Sequence, residues 1–319
     1  MNATASVSSG ARPLRSVASL PGVAWALIAL LLTFATAAPN FLTMGNVNNI
    51  AAQSVVLLML ALPTTLVIMT EGIDMSLGAV LSLAGVVLAM VLVASGSPLL
   101  ALGAAVGVGL AFGLANGALV SVLGLPPFIV TLASMGVAQG LALVITDGDS
   151  IIIGEQLSVL VNGSLAGLTM SIWLALAFYG IFHVLMHRTR LGFYASAIGG
   201  NPEALRFAGV NIRLYHIGIY ALSGASAGFA ALILTARMSA GHPSAALGAE
   251  FDAIAAVIVG GTSFEHGKGR LFGTLVGVVA VGVLRNGLNL MNVSSAIQVS
   301  CIGLLVIVSL LLDNLKGTR

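Results

Sequence analysis

The run Asn48-Asn-Ile-Ala-Ala-Gln-Ser-Val-Val-Leu-Leu-Met-Leu-Ala-Leu-Pro-Thr-Thr-Leu-Val-Ile-Met-Thr70 contains no charged side chain. A helix crossing a bilayer needs about 20 mostly apolar residues, and in lipid the backbone must satisfy its own hydrogen bonds. Strands of a membrane barrel would read instead as short alternating segments, so the unbroken run predicts a spanning helix. Similar runs recur along the chain, and the sequence reads as ten spans: 22–38, 48–70, 76–95, 98–123, 126–146, 165–186, 214–236, 245–262, 271–288 and 295–313. The eighth is the weakest. Its clearly apolar part, Ala253–Gly261, is too short to cross alone and reads as broken or re-entrant. The expected fold is an all-α integral membrane protein. Residues 1–21 form an N-terminal tail, 22–313 the membrane domain and 314–319 a C-terminal tail.

Composition supports the same class. Hydrophobic residues make up 58% of the 319 and charged residues only 7%, with a mean hydropathy of +1.10. Soluble domains carry roughly 25% charged residues, because their surfaces must be solvated. No Lys/Arg stripe with interleaved aromatics exists, so a nucleic-acid partner is not expected. The single cysteine, Cys301, lies in an apolar run and reads as a packing residue.

Basic residues orient the chain. With the N-terminus cytoplasmic, ten spans place 1–21, 187–213, 263–270 and 314–319 inside, and these hold ten of the twelve Lys and Arg residues. Arg237 and Arg285 fall on the other side. The N-terminus also has features of a cleavable leader: Arg12, Arg15, the apolar Val23–Phe34 and Ala35-Thr-Ala37. A retained first helix is the preferred reading. The small-xxx-small pairs Gly103/Gly107, Gly109/Gly113 and Gly113/Gly117 predict that the fourth span is buried among other helices. Asn116-Gly117 and Asn286-Gly287, near the ends of spans four and nine, hint at an inverted repeat of two five-helix halves.

Within the loop 187–213, Asn201 suits a helix cap, Pro202 the first helical position and Glu203 the positive helix end. Gly209 supplies a left-handed stop. The product is a two-turn helix over 202–208, too short to be stable alone. It either tucks under its own bundle or docks on another protein. In Glu71-Gly-Ile-Asp-Met-Ser-Leu-Gly78, on the cytoplasmic side, Asp74 or Ser76 can cap the third span; an ion site is the alternative. Gly260–Arg270 contains Gly267-Lys268 but misses the phosphate-loop spacing, and Gly269 stands where Ser or Thr is required. Any ATP must therefore be bound elsewhere. Glu250 and Asp252 are expected to pair with Arg285 across neighbouring spans. His183 and His187 have ligand-like spacing but no carboxylate or cysteine nearby. No nucleophile–base pair is evident, so the chain is not expected to be an enzyme and no metal or cofactor is assigned to it.

The segments Gly72–Gly78, Asn116-Gly117 with Pro126–Leu132, Gly199–Ile212, Ala256–Ser263 and Gly287–Asp313 resemble the ribose/xylose/arabinose-type permeases of bacterial ATP-binding cassette importers. The likeness covers nearly all of the chain after residue 40. It departs at Phe264–Lys268, where relatives often have a Gly-rich turn. The resemblance implies that Gly199, Asn201, Pro202, Glu203, Ala204, Arg206, Gly209 and Ile212 couple to a separate cytoplasmic ATPase, which would bind the ATP and Mg. It implies a periplasmic sugar-binding protein, a second permease copy, the bacterial inner membrane and alternating access. A neutral sugar needs hydrogen bonds more than charges. Candidate path residues are Asn48, Gln53, Thr64, Thr65, Asn116, Thr131, Ser134 and Gln139. A permease for branched-chain amino acids or nucleosides is the related alternative, and an ion-coupled secondary transporter the more distant one.

Overall fold

The computed structural model describes residues 22–317 except 156, 159, 160, 162, 265 and 266. The N-terminal tail, with Arg12 and Arg15, lies outside the described residues. So do Glu265 and His266 of the departing turn.

Twelve helices are described: α1 Gly22–Ala37, α2 Met44–Met69, α3 Leu77–Ser95, α4 Pro98–Ser121, α5 Pro127–Thr146, α6 Met170–Arg188, α7 Arg190–Gly200, α8 Pro202–Phe207, α9 Ile212–Met238, α10 Ala249–Val259, α11 Leu271–Leu290 and α12 Ser295–Gly317. Start signals in the sequence act locally. The Thr43 and Ser97 side chains accept the Asn46 and Leu100 amides, as helix caps do. Every expected span has a helix. Among the described residues seven of them, α2 to α6, α9 and α11, are long and apolar enough to cross a membrane, with shorter apolar stretches at Val23–Ala37 and Ser295–Val308, so the count of ten is not confirmed. The weak eighth span is the 11-residue α10, roughly 16 Å long. The loop expected over 187–213 is corrected: it contains α7 as well as α8. α12 continues to Gly317, past the expected boundary at 313.

Two inner helices form the centre. The apolar windows of α2 and α3 are 78% and 72% buried, whereas those of α4, α5 and α6 are only 17–22% buried. Span four, expected to be buried among other helices, is buried along one face only. It buries one stripe, Ala101, Ala105, Gly109, Gly113, Asn116, Gly117 and Val120, and packs that stripe on α9. A side chain at Gly109 would run into the Gly224 backbone and one at Gly113 into that of Tyr220. Gly103 and Gly107 face open space, because they lie off the stripe. Packing partners are exchanged between halves, as an inverted repeat would produce: α4 packs on α9 while α11 packs on α2, and α3 meets α5 while α10 meets α12. The exchange stops at the outer helices, where α1 packs on α11 but α6 packs on α2.

The connections sort onto two ends of the bundle. Gly199 at the end of α7 abuts the Met69 carbonyl and Gly267, gathering three connections at one end. At the other end β1 (Ile151–Ile152) pairs antiparallel with β4 (Ala240–Gly241). A small hairpin, β2 (Ser164–Leu165) with β3 (Leu168–Thr169), precedes α6. In α1 the buried Phe34 ring lies against Gly287 of α11.

Candidate functional site

Two regions stand out. The first is the end of the bundle that bears α7 and α8. Asn201 Oδ1 accepts the Ala204 amide at 3.0 Å, and Pro202 opens the helix. At the far end the Gly209 amide donates to the Arg206 carbonyl and the Val210 amide to the Leu205 carbonyl, both at 3.0 Å. That is the two-bond stop in which the residue after the helix turns left-handed, and Gly209 has φ 78°. None of the residues in α8 is buried, and Phe207 is 92% exposed. Of the two readings left open, a helix tucked under its own bundle is thus overturned. Within the expected coupling set, Asn201, Pro202, Glu203, Ala204, Arg206 and Gly209 are exposed. Gly199 and Ile212 are buried within the chain; they seat the segment instead of presenting it.

The second region lies inside the bundle. The 70–76 link, expected on the cytoplasmic side, folds back beside α9. Asp74 Oδ2 accepts from Ser223 Oγ at 2.9 Å, and Ser223 sits roughly 16 Å along α9 from its start. Asp74 Oδ1 accepts the Ser76 amide at 3.1 Å and its hydroxyl at 2.6 Å. Capping is therefore done by Asp74, while Ser76 at the cap position makes no cap bond of its own. Asn116 Nδ2 donates to Ser76 Oγ at 3.0 Å, and Ser134 donates to Asn116 Oδ1. Thr131 donates to the Ile73 carbonyl at 3.1 Å. One link thus ties α3, α4, α5 and α9 together. From the other side, the connection 239–248 meets α3: the Ala246 amide donates to Ser82 Oγ at 3.0 Å, and Glu250 abuts Gly78. Both α3 and the short α10 therefore begin inside the bundle, the interrupted-helix arrangement of many transport sites.

The expected path residues separate on this geometry. Thr64, Thr65, Asn116 and Thr131 are at most 1% exposed. Thr64 bonds the Leu60 carbonyl, and Thr65 pairs with Thr274 at 2.8 Å. Buried polar groups need such partners; Thr65, Asn116 and Thr131 bond beyond their own helices, while Thr64 is satisfied within α2. Ser134 joins the same network. Asn48 and Gln53 are half-buried on the outer part of α2, with Gln53 bonded to Asn49. Gln139 of α5 donates to Ser244 Oγ at 3.1 Å, leaving its buried Oε1 unpartnered. Asn48, Gln53 and Gln139 are the path candidates with polar groups still available. Sequence reasoning missed Ser223, Ser244 and Thr274, because nothing local to them signals partners so far along the chain.

The expected pairing of acids with Arg285 holds for one of the two. Arg285 Nη2 lies 2.6 Å from Asp252 Oδ2. Glu250, 1% exposed, instead accepts the Gly248 amide, and its Oε2 has no partner. Asp74 is also 1% exposed, so two carboxyl groups, Asp74 and Glu250, lie deep in the interior. Asp252→Arg alone is expected to cut the yield of folded protein about tenfold, since like charges replace a pair worth roughly 1–2 kcal/mol at this partial exposure. Adding Arg285→Asp should restore most of it. Equal yields for the single and double variants, read by size exclusion in mild detergent, would show that the pair contributes nothing.

Comparison with known proteins gives a consistent picture. The family described as branched-chain amino acid transport system / permease component matches residues 46–310. Ribose import permease protein RbsC of Escherichia coli (strain K12) is 38% identical over 297 residues, 91% of this chain and 92% of its own. RbsC of Bacillus subtilis (strain 168) is 38% identical over 283 residues, 88% of each chain. D-allose transport system permease protein AlsC of Escherichia coli (strain K12) is 36% identical over 299 residues, 92% of this chain and 91% of its own. No solved structure matches.

Proposed function

We propose that this chain, which belongs to the branched-chain amino acid transport system / permease component family, is the membrane subunit of an ATP-driven importer of a monosaccharide or related polyol. Membership of a transport-permease family and seven spanning-length apolar helices make it a multi-pass membrane protein. The observation that carries the ATP-driven reading is α8, a helix capped at both ends with no buried residue. Six residues cannot sustain a helix in water, so this one is completed by a partner. That partner is a cytoplasmic ATPase, which binds the ATP and Mg in place of this chain. Relatives named for ribose and allose support a sugar as substrate.

The remaining assignments follow from this reading. The end bearing α7 and α8 also carries Arg188, Arg190, Arg206, Arg213, Lys268 and Arg270, so it faces the cytoplasm of a bacterial inner membrane. Both termini lie on that side. A periplasmic sugar-binding protein delivers substrate to the opposite end, and two permease copies enclose the path. Asn48, Gln53 and Gln139 contact the sugar. Its movement follows rocking of the helices that begin inside the bundle, α3 and α10, as the ATPases close on α8. Asp74 is satisfied by two serines, which suits a structural joint better than a relay for a coupling ion.

The test is uptake. Cells with this permease, its ATPase and its binding protein as their only ribose route are expected to accumulate labelled ribose. Uptake should vanish on ATPase deletion and survive an ionophore while ATP is maintained. Uptake that survives the deletion and collapses with the ionophore would overturn the reading.

A further inference from the structure

A cavity of about 670 Å³ opens at the base of α8, between the last residues of α4 with the link that follows (120–124) and the stretch from Arg206 to His216. Its chemistry is divided. One wall carries the Arg206 and Arg213 side chains, both exposed, and neither bonds or ion-pairs with another described residue. Behind them His216 has a buried Nε2 with no partner. The facing wall is apolar: Val122 is 51% and Leu123 65% exposed. It continues into α4, whose outward side chains Leu110, Leu114 and Leu119 are also exposed. Cationic groups that lack an anion therefore border a surface suited to hydrocarbon.

We propose that this cavity holds the headgroup of an anionic phospholipid, with its phosphate on Arg206 and Arg213 and its acyl chains along α4. A free anion would satisfy the arginines but leave the apolar wall wet, and an acidic protein segment would leave α4 uncovered. A lipid satisfies both, and a basic pocket at the cytoplasmic ends of membrane helices is the setting in which such headgroups bind. Arg206 lies in the last turn of α8 and Arg213 in the first turn of α9. The lipid thereby fixes the angle at which α8 leaves the bundle, making the membrane's anionic lipid content a regulator of coupling. The inference rests on the membrane placement given above, not on the sugar.

The experiment uses the full-length permease without other subunits, purified from vesicles of equal phosphatidylglycerol and phosphatidylcholine and examined by native mass spectrometry. Phosphatidylglycerol is expected to be retained preferentially, and glycerol phosphate in excess should not displace it. Arg206→Gln with Arg213→Gln should weaken retention about thirtyfold, equivalent to about 1 kcal/mol for each arginine. Arg213→Lys, which keeps the charge, should retain the lipid. Both arginines are exposed, and a melting temperature close to that of the unaltered protein will confirm folding. Equal retention of the two lipids, unchanged retention in the double variant, or release by glycerol phosphate would each overturn the proposal. Displacement by added ATPase subunit would assign the cavity to a carboxylate of that partner and overturn it too. Lipid retention is independent of transport, so a failed sugar assay leaves this result standing.

Discussion

Gly209→Val is expected to lower uptake on the order of a hundredfold, because a β-branched residue held left-handed costs roughly 1–3 kcal/mol, while the permease still reaches the membrane. The stop at Gly209 consists of two amide bonds that require the positive φ observed there. A long helix would survive the loss of one terminus. A six-residue helix has only its two ends, and cooperativity leaves it no interior to fall back on. Because α8 buries nothing in its own bundle, its unwinding leaves the membrane fold intact, which separates lost coupling from lost folding. Glu203→Lys attacks the same surface differently. It places a cation at the positive end of the helix and reverses the charge presented to the partner. Labelled-sugar uptake, immunoblots of the membrane fraction and co-purification of the ATPase would measure these effects. Normal transport in both variants would sink the docking assignment.

Gly113→Leu should remove most of the folded permease from the membrane. A leucine there would enter the backbone of Tyr220 and Ala221, so α4 and α9 would have to separate along the whole stripe. Overpacking a tight interior commonly costs 1–3 kcal/mol, and forcing two backbones apart places this change at or above about 3 kcal/mol. The damage extends inward, because α9 carries Ser223, which holds Asp74. Gly103→Leu on the same helix is the control. Its surroundings are open, and its yield of monodisperse protein in mild detergent should match the unaltered chain. Equal yields for both substitutions would mean that close approach of α4 and α9 is dispensable.

The two variants also show what could be read from the residues alone. The spacing of glycines on α4 announced a packing face but not its position. Gly109, Gly113 and Gly117 face α9 while Gly103 and Gly107 face outward, and only the partner's location distinguishes them. The capped helix at 202–207 was legible because Asn201, Pro202 and Gly209 act within a few residues of their own backbone. The paired dipeptides lie between these cases. Asn116 bonds Ser76 and Asn286 exchanges two bonds with Asn46, each at 2.9–3.0 Å. Both asparagines join helices, yet no local rule names the helix each joins.

By itself the sequence determined that this protein spans a membrane, where its long apolar helices run and that a short capped helix stands near residue 202. Lipid enforces that outcome, because the backbone must bond within its own segment, so the pattern that specifies each helix is local. The tertiary structure alone decided that the 70–76 link turns inward, that α3 and α10 begin inside the bundle and that α8 buries nothing. It likewise decided which polar residues bond across helices and which keep an unpartnered group, as Gln139 does. These depend on contacts such as Asp74 with Ser223, 149 residues apart, and each partner is fixed only when the helices have packed.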